Sequence, residues 1–123
     1  MTCNHKLTTD QLLAKATRVF NRYIRNRDTG KVCISCGLFK TLQAGHFYSA
    51  GKYPGLRFDE NNVHGQCLRC NHFMSGNLIE YEKHLRVRIG NEKVEALHFK
   101  ASQFKRAKHK WNRFYLIEVI NKC

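Results

Sequence analysis

Two cysteine pairs constrain this chain more than any other feature. Cys33-Ile-Ser-Cys36 and Cys67-Leu-Arg-Cys70 repeat the CxxC spacing, with 30 residues between them. Each pair sets two thiolates on one tight turn, within reach of a single ion about 2.3 Å away, and two such turns complete the tetrahedron that Zn²⁺ accepts. A redox CxxC is the competing reading, but thioredoxin-like sites use one pair inside a βαβ frame. No such frame is visible in the pattern. Gly37, directly after the first pair, suits the left-handed turn that closes a knuckle. Four thiolates leave no open coordination position, so the expected zinc is structural and staples a segment too short to bury a core alone. Cys3 and Cys123 lie outside the pattern and read as free terminal thiols.

Around that staple the pattern is helical. Thr8 and Gln11 have capping-box spacing, and Leu12, Leu13, Ala16, Val19, Phe20, Tyr23 and Ile24 follow at helical period. Asp28-Thr29-Gly30 stops that run. Between the cysteine pairs, Val32-Cys33-Ile34 and residues 41–48 read as short β pieces. A Gly-rich loop over 49–55 with the only proline, Pro54, precedes a second strand over 63–66. Past Cys70 the helical spacing returns with Leu78, Tyr81, Leu85 and Ile89, and Gly90-Asn91 ends it. A short helix over 92–99 is expected next, then a last one over 103–120 with Phe104, Ala107, Trp111, Phe114 and Tyr115 on one core-facing side. The expected class is α+β, one domain over 1–123: a basic helix in 1–30, a zinc-stapled ββα core in 31–77, and amphipathic helices in 78–123.

Charge points to a polyanionic partner. Lys and Arg number 22 against 9 Asp and Glu, a formal +13, whereas soluble surfaces usually intersperse both signs. The first helix carries Arg18, Arg22 and Arg25 with no acid between Asp10 and Asp28. Lys105, Arg106, Lys108 and Lys110 fall in a stretch with no acid between Glu95 and Glu118. Such clusters are the main source of affinity for DNA through counter-ion release. Lys40, Lys52 and Arg57, between the knuckles, are the candidates to hold a strand, and the two helical runs to grip duplex arms. An apolar content of 42% excludes wholesale disorder. The opening residues have no apolar h-region, and no stretch approaches the roughly 20 residues of a membrane span. A cytoplasmic, membrane-free location is therefore expected.

Between and just after the knuckles lie His46, Asn61, Asn62, His64, Asn71, His72 and Asn77. Each alone has an ordinary reading as a turn, cap or hydrogen-bonded side chain. Their order is more specific: a His ending a strand, an Asn before the next strand, and an Asn on the helix after the second knuckle. That is the arrangement of HNH-type ββα-metal nucleases. The strings Leu42-Gln-Ala-Gly-His46-Phe-Tyr-Ser, Leu56-Arg-Phe-Asp-Glu-Asn-Asn-Val-His64-Gly-Gln-Cys67 and Cys70-Asn71-His-Phe-Met-Ser-Gly-Asn77-Leu-Ile-Glu-Tyr81 resemble the phage NinG/Rap recombination nuclease family. The likeness covers about residues 31–98, and the module is also similar to phage endonuclease VII.

The resemblance implies a structure-specific endonuclease that hydrolyses phosphodiesters in branched recombination intermediates such as Holliday junctions and D-loops, leaving 5′-phosphate and 3′-hydroxyl ends. It implies His46 as general base, Asn62 as brace of the loop holding it, and Asn71 as ligand of a catalytic Mg²⁺ or Mn²⁺. It also implies a phage-infected bacterial cytoplasm, phage or host recombination proteins as further partners, and a homodimer to match a two-fold junction. One position departs from the pattern. Many HNH nucleases place a metal-binding Asp or His directly before the base, and here that residue is Gly45. Either another group supplies the ligand, or His46 itself binds metal and something else is the base. His64 is the first candidate ligand, on a strand where it would face the cleft of His46, and Asp59 and His72 are weaker ones. Two other classes stay open: a non-catalytic zinc module that binds DNA or organises recombination proteins, and an HNH nickase without branch preference.

Overall fold

The computed structural model describes residues 4–104 and 109–123. Helix α1 (Thr9–Arg27) opens on a closed capping box: Gln11 N–H donates to Thr8 Oγ1 (3.2 Å) and Thr8 N–H donates to Gln11 Oε1 (2.8 Å). Its buried residues Leu12, Ala16, Phe20 and Ile24 recur every fourth position as one ridge, while Arg18, Arg22 and Arg25 stay exposed on the other side.

Strands β1 (Leu42–His46) and β2 (Val63–Cys67) form an antiparallel hairpin with Leu42 opposite Cys67, Gly45 opposite His64 and His46 opposite Val63. Side chains alternate along a strand, so Ala44, His46 and Val63 share one face and Gln43, Gly45, His64 and Gln66 the other. The first face packs on α1 and on α4 (Arg113–Lys122), in a core of Leu12, Phe20, Phe58, Val63, Leu116 and Val119. The second packs on α2 (Leu78–Ile89), whose Tyr81 hydroxyl donates to the Gly45 carbonyl at 2.7 Å. Helix α3 (Asn91–Ser102) leaves α2 at Gly90, whose φ of 90° suits a residue without Cβ. It buries Val94, Leu97 and Ala101 against Ile34, Phe47, Tyr81 and Leu85.

A buried carboxylate ties three elements together. Asp28, fully buried after the end of α1, accepts from Arg27 (2.8 and 3.0 Å) and from the Gly65 N–H of β2 (2.7 Å), and pairs with Lys31 (3.5 Å) and with Arg88 of α2 (4.0 Å). Burial raises its pKa, but the Arg27 guanidinium and the Gly65 N–H outweigh that and hold it at about 2.

The class is α+β, a hairpin with four main helices and a four-cysteine cluster. Two segments differ from the pattern reading. Val32-Cys33-Ile34 is not a strand, because its backbone closes the first knuckle: Cys33 N–H donates to the Leu38 carbonyl and Gly37 N–H to the Cys33 carbonyl, both at 2.9 Å. Nor does one helix run over 103–120. Helix α3 extends to Ser102, and α4 starts only after Asn112, whose Oδ1 accepts from Phe114 N–H (2.8 Å) and Tyr115 N–H (3.2 Å). Lys105, Arg106 and Lys108 lie outside the described residues. That later start dissolves the expected aromatic face: Phe114 is 75% exposed, and Trp111, ahead of the helix, packs edge-on to Phe58 at 5.6 Å. Among the described residues, no helix is long and apolar enough to cross a membrane.

Candidate active site

The knuckles converge. The Sγ atoms of Cys33, Cys36, Cys67 and Cys70 lie within 4.8 Å of one another at the end of the hairpin where Leu42 faces Cys67. Burial pushes the Cys33 thiol up, but N–H groups of Cys67 (3.3 Å), Cys36 and Ser35 outweigh it and bring it to about 7. Cys70 goes the other way, pushed up to about 12 by burial despite the Asn77 amide at 3.6 Å. Four thiolates here need a cation to balance them, and the donor set and closure fit a structural zinc. It is the only convergent group of three or more His, Cys, Asp or Glu side chains among the described residues.

His46 closes β1 half-buried, with Nε2 2.9 Å from the Arg57 carbonyl. A carbonyl only accepts, so Nε2 carries the hydrogen and Nδ1 is left as an acceptor. Burial, joined by the charge of Arg57 and opposed by its carbonyl, holds the ring below the ordinary histidine pKa of 6.5. Neutral at pH 7, it has the form a general base needs. Asn62, fully buried, fixes the chain just beyond: its Oδ1 accepts from Tyr48 N–H (2.8 Å), and its Nδ2 donates to the carbonyls of Tyr48 and Leu56 (3.0 Å each). Its own carbonyl accepts from Phe47 N–H at 2.9 Å.

His64 does not share that face. Lying opposite Gly45, it points to the α2 side, 3% exposed, its ring edge-on to Tyr81 at 6.3 Å and its Nδ1 buried without a partner. Burial, with the charges of Arg27, Arg88 and Lys31 and against the pull of Asp28, lowers its pKa to about 3. The expectation that His64 faces the cleft of His46 therefore fails, for the period-2 reason that neighbours on a strand point apart. Gly45 is explained on the same face. A Cβ there would lie 2.1 Å from Gln66 Oε1, so the Gln66 side chain fills the place a metal-binding Asp would take. Gln66 Nε2 donates to Ser35 Oγ (2.8 Å) and the Gly76 carbonyl (2.6 Å), leaving Oε1 buried and unpartnered.

The remaining candidates disperse. Asn71 follows Cys70 in a wide helical turn over Arg69–Phe73 and donates through Nδ2 to Gln43 Oε1 at 2.9 Å, three residues or roughly 10 Å along β1 from His46. Asp59 is engaged by Lys100 (2.9 Å) and by Asn61 N–H (2.9 Å), and His72 is exposed beside Phe73. Among the described residues, no complete site for a catalytic cation forms around His46: Gly45 offers no ligand, and His64 is on the far face. Arg57 is turned inward, with its guanidinium on Thr17 Oγ1 (3.3 Å) and 6.0 Å from the Trp111 ring. Lys40, Lys52 and Lys110 are exposed.

A groove of about 880 Å³, the largest of the described pockets, is lined by His46, Tyr48, Lys52, Glu82, Lys83 and His98 among others. Within it Tyr48 Oη is hydrogen-bonded to His98 Nδ1, and His98 Nε2 lies 3.3 Å from Glu82 Oε1. Arg86 clamps the other carboxylate oxygen of Glu82 at 3.0 Å. None of these groove residues besides His46 and Lys52 stands out in the sequence. Tyr48 and His98 are 50 positions apart, and the helical period of α2 and α3 signals only their buried stripes.

Residues 5–122 match the family described as Bacteriophage Lambda NinG protein. Curated relatives named Protein ninG are similar: 42% identical in Salmonella phage P22, 40% in Escherichia phage 933W and 39% in Escherichia phage lambda, each over 101 residues. Those alignments cover 80% of this chain and 47%, 48% and 47% of the relatives, so the chain spans about half the length of the curated relatives it matches. No solved structure matches. With nearly its whole length matched, the chain belongs to the NinG family of bacteriophage proteins.

Proposed function

We propose that this chain is a structure-specific DNA endonuclease that hydrolyses phosphodiesters in branched recombination intermediates, Holliday junctions and D-loops among them. The state of His46 carries the reading: neutral, tied through Nε2 to a backbone carbonyl, with Nδ1 left to take the proton of an attacking water. Asn62 keeps the loop beside it in place, and the four-cysteine cluster, filled by zinc, would fix the opposite, Leu42–Cys67 end of the hairpin. The likeness of residues 31–98 to the NinG/Rap recombination nucleases, and of the zinc-stapled module to HNH-type nucleases and endonuclease VII, supports the same roles. The +13 charge, with Arg18, Arg22 and Arg25 exposed along α1, Lys52 on the groove and Lys110 exposed, supports a DNA substrate, and the sequence adds Lys105, Arg106 and Lys108 to that basic balance. Mg²⁺ or Mn²⁺ would arrive with the DNA, with Asn71 the ligand that the family resemblance implies, since this ion commonly takes few protein ligands beside substrate phosphates. Asn71 would have to leave Gln43 to approach the His46 end of the strand. A homodimer would set two grooves on a two-fold junction in the cytoplasm of the infected host, alongside phage or host recombination proteins.

Cleavage of end-labelled four-way junction, D-loop and linear duplex by the zinc-loaded chain with Mg²⁺ or Mn²⁺ tests this. Nicks at the branch, with linear duplex spared, are expected. Binding without cutting would instead support a non-catalytic, zinc-dependent DNA-binding accessory protein, the reading that the filled Gly45 position favours. Equal cutting of linear duplex would make the chain an HNH nickase without branch preference.

A further inference from the structure

A hydrolysis that begins with a base also needs a proton for the leaving oxygen, and His46 shares its groove with a second proton-bearing group. Carboxylate, imidazole and phenol stand in series there: Glu82 Oε1 lies 3.3 Å from His98 Nε2, and His98 Nδ1 is bonded to Tyr48 Oη. The series is held at both ends. Arg86 fixes Glu82 through Nη2 (3.0 Å) and Nε (3.2 Å) and is itself anchored by Glu95 (2.8 Å). At the other end Asn62 clamps both the N–H and the carbonyl of Tyr48. Tyr48, Glu82, His98 and His46 all line the same groove, where the side chains of His98 and Glu82 are 31% and 35% exposed, within reach of solvent. Lys52 and Lys83 on the same walls suit a phosphodiester.

We propose that Tyr48, backed by His98 and Glu82, is the proton donor to the 3′-oxygen that leaves when the chain cleaves DNA. This rests on the endonuclease reading and deepens it by assigning the acid that complements the His46 base. Water oxygen bonds to phosphorus and gives its proton to His46 Nδ1. The P–O3′ bond breaks with its electron pair on the 3′-oxygen, which takes the phenolic proton of Tyr48. The phenolate oxygen then takes a proton from solvent, while His98, braced by Glu82, holds the ring in place through the Nδ1–Oη hydrogen bond. Tyr48 is neutral before and after the cycle, and His46 releases its proton to solvent. Burial, with Tyr53, Glu82 and Glu95 nearby, raises the phenol above its ordinary pKa of 10.0, which keeps it in the donor form at neutral pH. Tyr48 is thus the catalytic residue, and His98 and Glu82 act through it as positioning residues.

A leaving group that needs no proton isolates this step. In a junction whose scissile 3′-oxygen is replaced by sulfur, the thiolate departs unprotonated. Single-turnover cleavage of ordinary and 3′-thio junctions is compared for the wild-type chain, Tyr48→Phe, His98→Gln and His46→Ala, with Mn²⁺. Tyr48→Phe is expected to slow the ordinary junction about 100-fold and the thio junction by less than about 3-fold, because its defect lies only in the protonation that sulfur makes unnecessary. His98→Gln should show the same pattern more weakly, and His46→Ala should slow both. Equal slowing of both junctions by Tyr48→Phe, or no slowing of either, overturns the assignment of Tyr48 while leaving the nuclease in place. A wild-type chain that cuts neither junction overturns the nuclease reading and that assignment with it.

Discussion

The two faces of the hairpin carry the same kind of residue to opposite ends. His46 and His64 sit one step out of register across the ladder, since His46 pairs with Val63 and His64 with Gly45. On one face the His46 ring has a carbonyl on Nε2 and, at the end of the strand, borders the groove that runs on to α2 and α3; on the other, His64 is sealed under Tyr81 with Nδ1 unanswered. Burial drives both below the ordinary histidine pKa, yet only His46 keeps a route to solvent. Residue type and strand position are nearly the same, so the difference lies in which side of the pleat each occupies. Gln66 completes the contrast, because its amide fills the space over Gly45 and makes that face a packing surface.

The largest effect should come from what both faces share, the knuckle at Cys67. Chelating the metal, or Cys67→Ser, leaves buried thiols without a counter-charge and should abolish cooperative unfolding, since structural zinc contributes about 10 kcal/mol or more in small modules. A thermal melt that stays cooperative after zinc is stripped, or a folded chain holding less than one zinc, breaks the claim. His46→Ala comes next and separates the faces. It should lower cleavage by roughly two to four orders of magnitude with the melting curve nearly unchanged, while His64→Leu leaves cleavage within several-fold. The wild-type rate should hold steady above neutrality and fall as pH drops through a value below 6.5, where the lowered pKa of His46 puts its protonation. A His64→Leu chain as inactive as His46→Ala would erase the distinction.

Much of this was legible in the sequence, and what was not has a physical cause. The capping box of Thr8 and Gln11, the α1 ridge, the two strands and the four-cysteine cluster follow from local spacing. Val32-Cys33-Ile34 misled because a three-residue apolar run has no period of its own, and the knuckle turn claimed its hydrogen bonds. The 103–120 helix failed at Asn112, a cap inside an otherwise helical pattern. The face of His64 depends on pairing register, which spacing along one strand does not reveal. Gly45 carried a signal of another kind, since glycine inside a strand marks a close approach, here by Gln66. Tyr48, Glu82 and His98 meet only through the packing of a loop on two helices.

The packing face can be tested at Gly45. Gly45→Ala forces a Cβ to 2.1 Å from Gln66 Oε1, so the Gln66 amide must leave its bonds to Ser35 and Gly76. A loss of about 2 kcal/mol is expected from such overpacking. If Gln66 is the cause, Gln66→Gly, which also removes the Cβ that would lie at 2.6 Å, should combine with Gly45→Ala to cost less than the two single losses added, by about 1 kcal/mol. Strict additivity in denaturant melts would mean that Gln66 does not hold the place of a side chain at position 45.

His64 gives the smallest effect at neutral pH and the most specific one in acid. At pH 7 the ring is neutral in both folded and unfolded chains, so His64→Leu trades an unpartnered Nδ1 for apolar volume under Tyr81 and should change stability by less than about 1 kcal/mol. Below pH 6.5 the states diverge. The unfolded chain protonates His64 near its ordinary value, whereas the folded chain resists until about 3, so the unfolded state binds more protons and stability falls as pH falls through that window. His64→Leu removes that share, on the order of a few kcal/mol by pH 3, while His46 keeps its own smaller one. Asp28 acts in a different window, because its folded pKa of about 2 lies below the unfolded value, and its contribution is lost only from about pH 4 downward. Stability of the two chains measured by denaturant from pH 7 to 4 therefore isolates His64: the variant should show the flatter line. Parallel lines would mean that the ring takes up a proton in the folded state, and the sealed face would then be open to solvent after all.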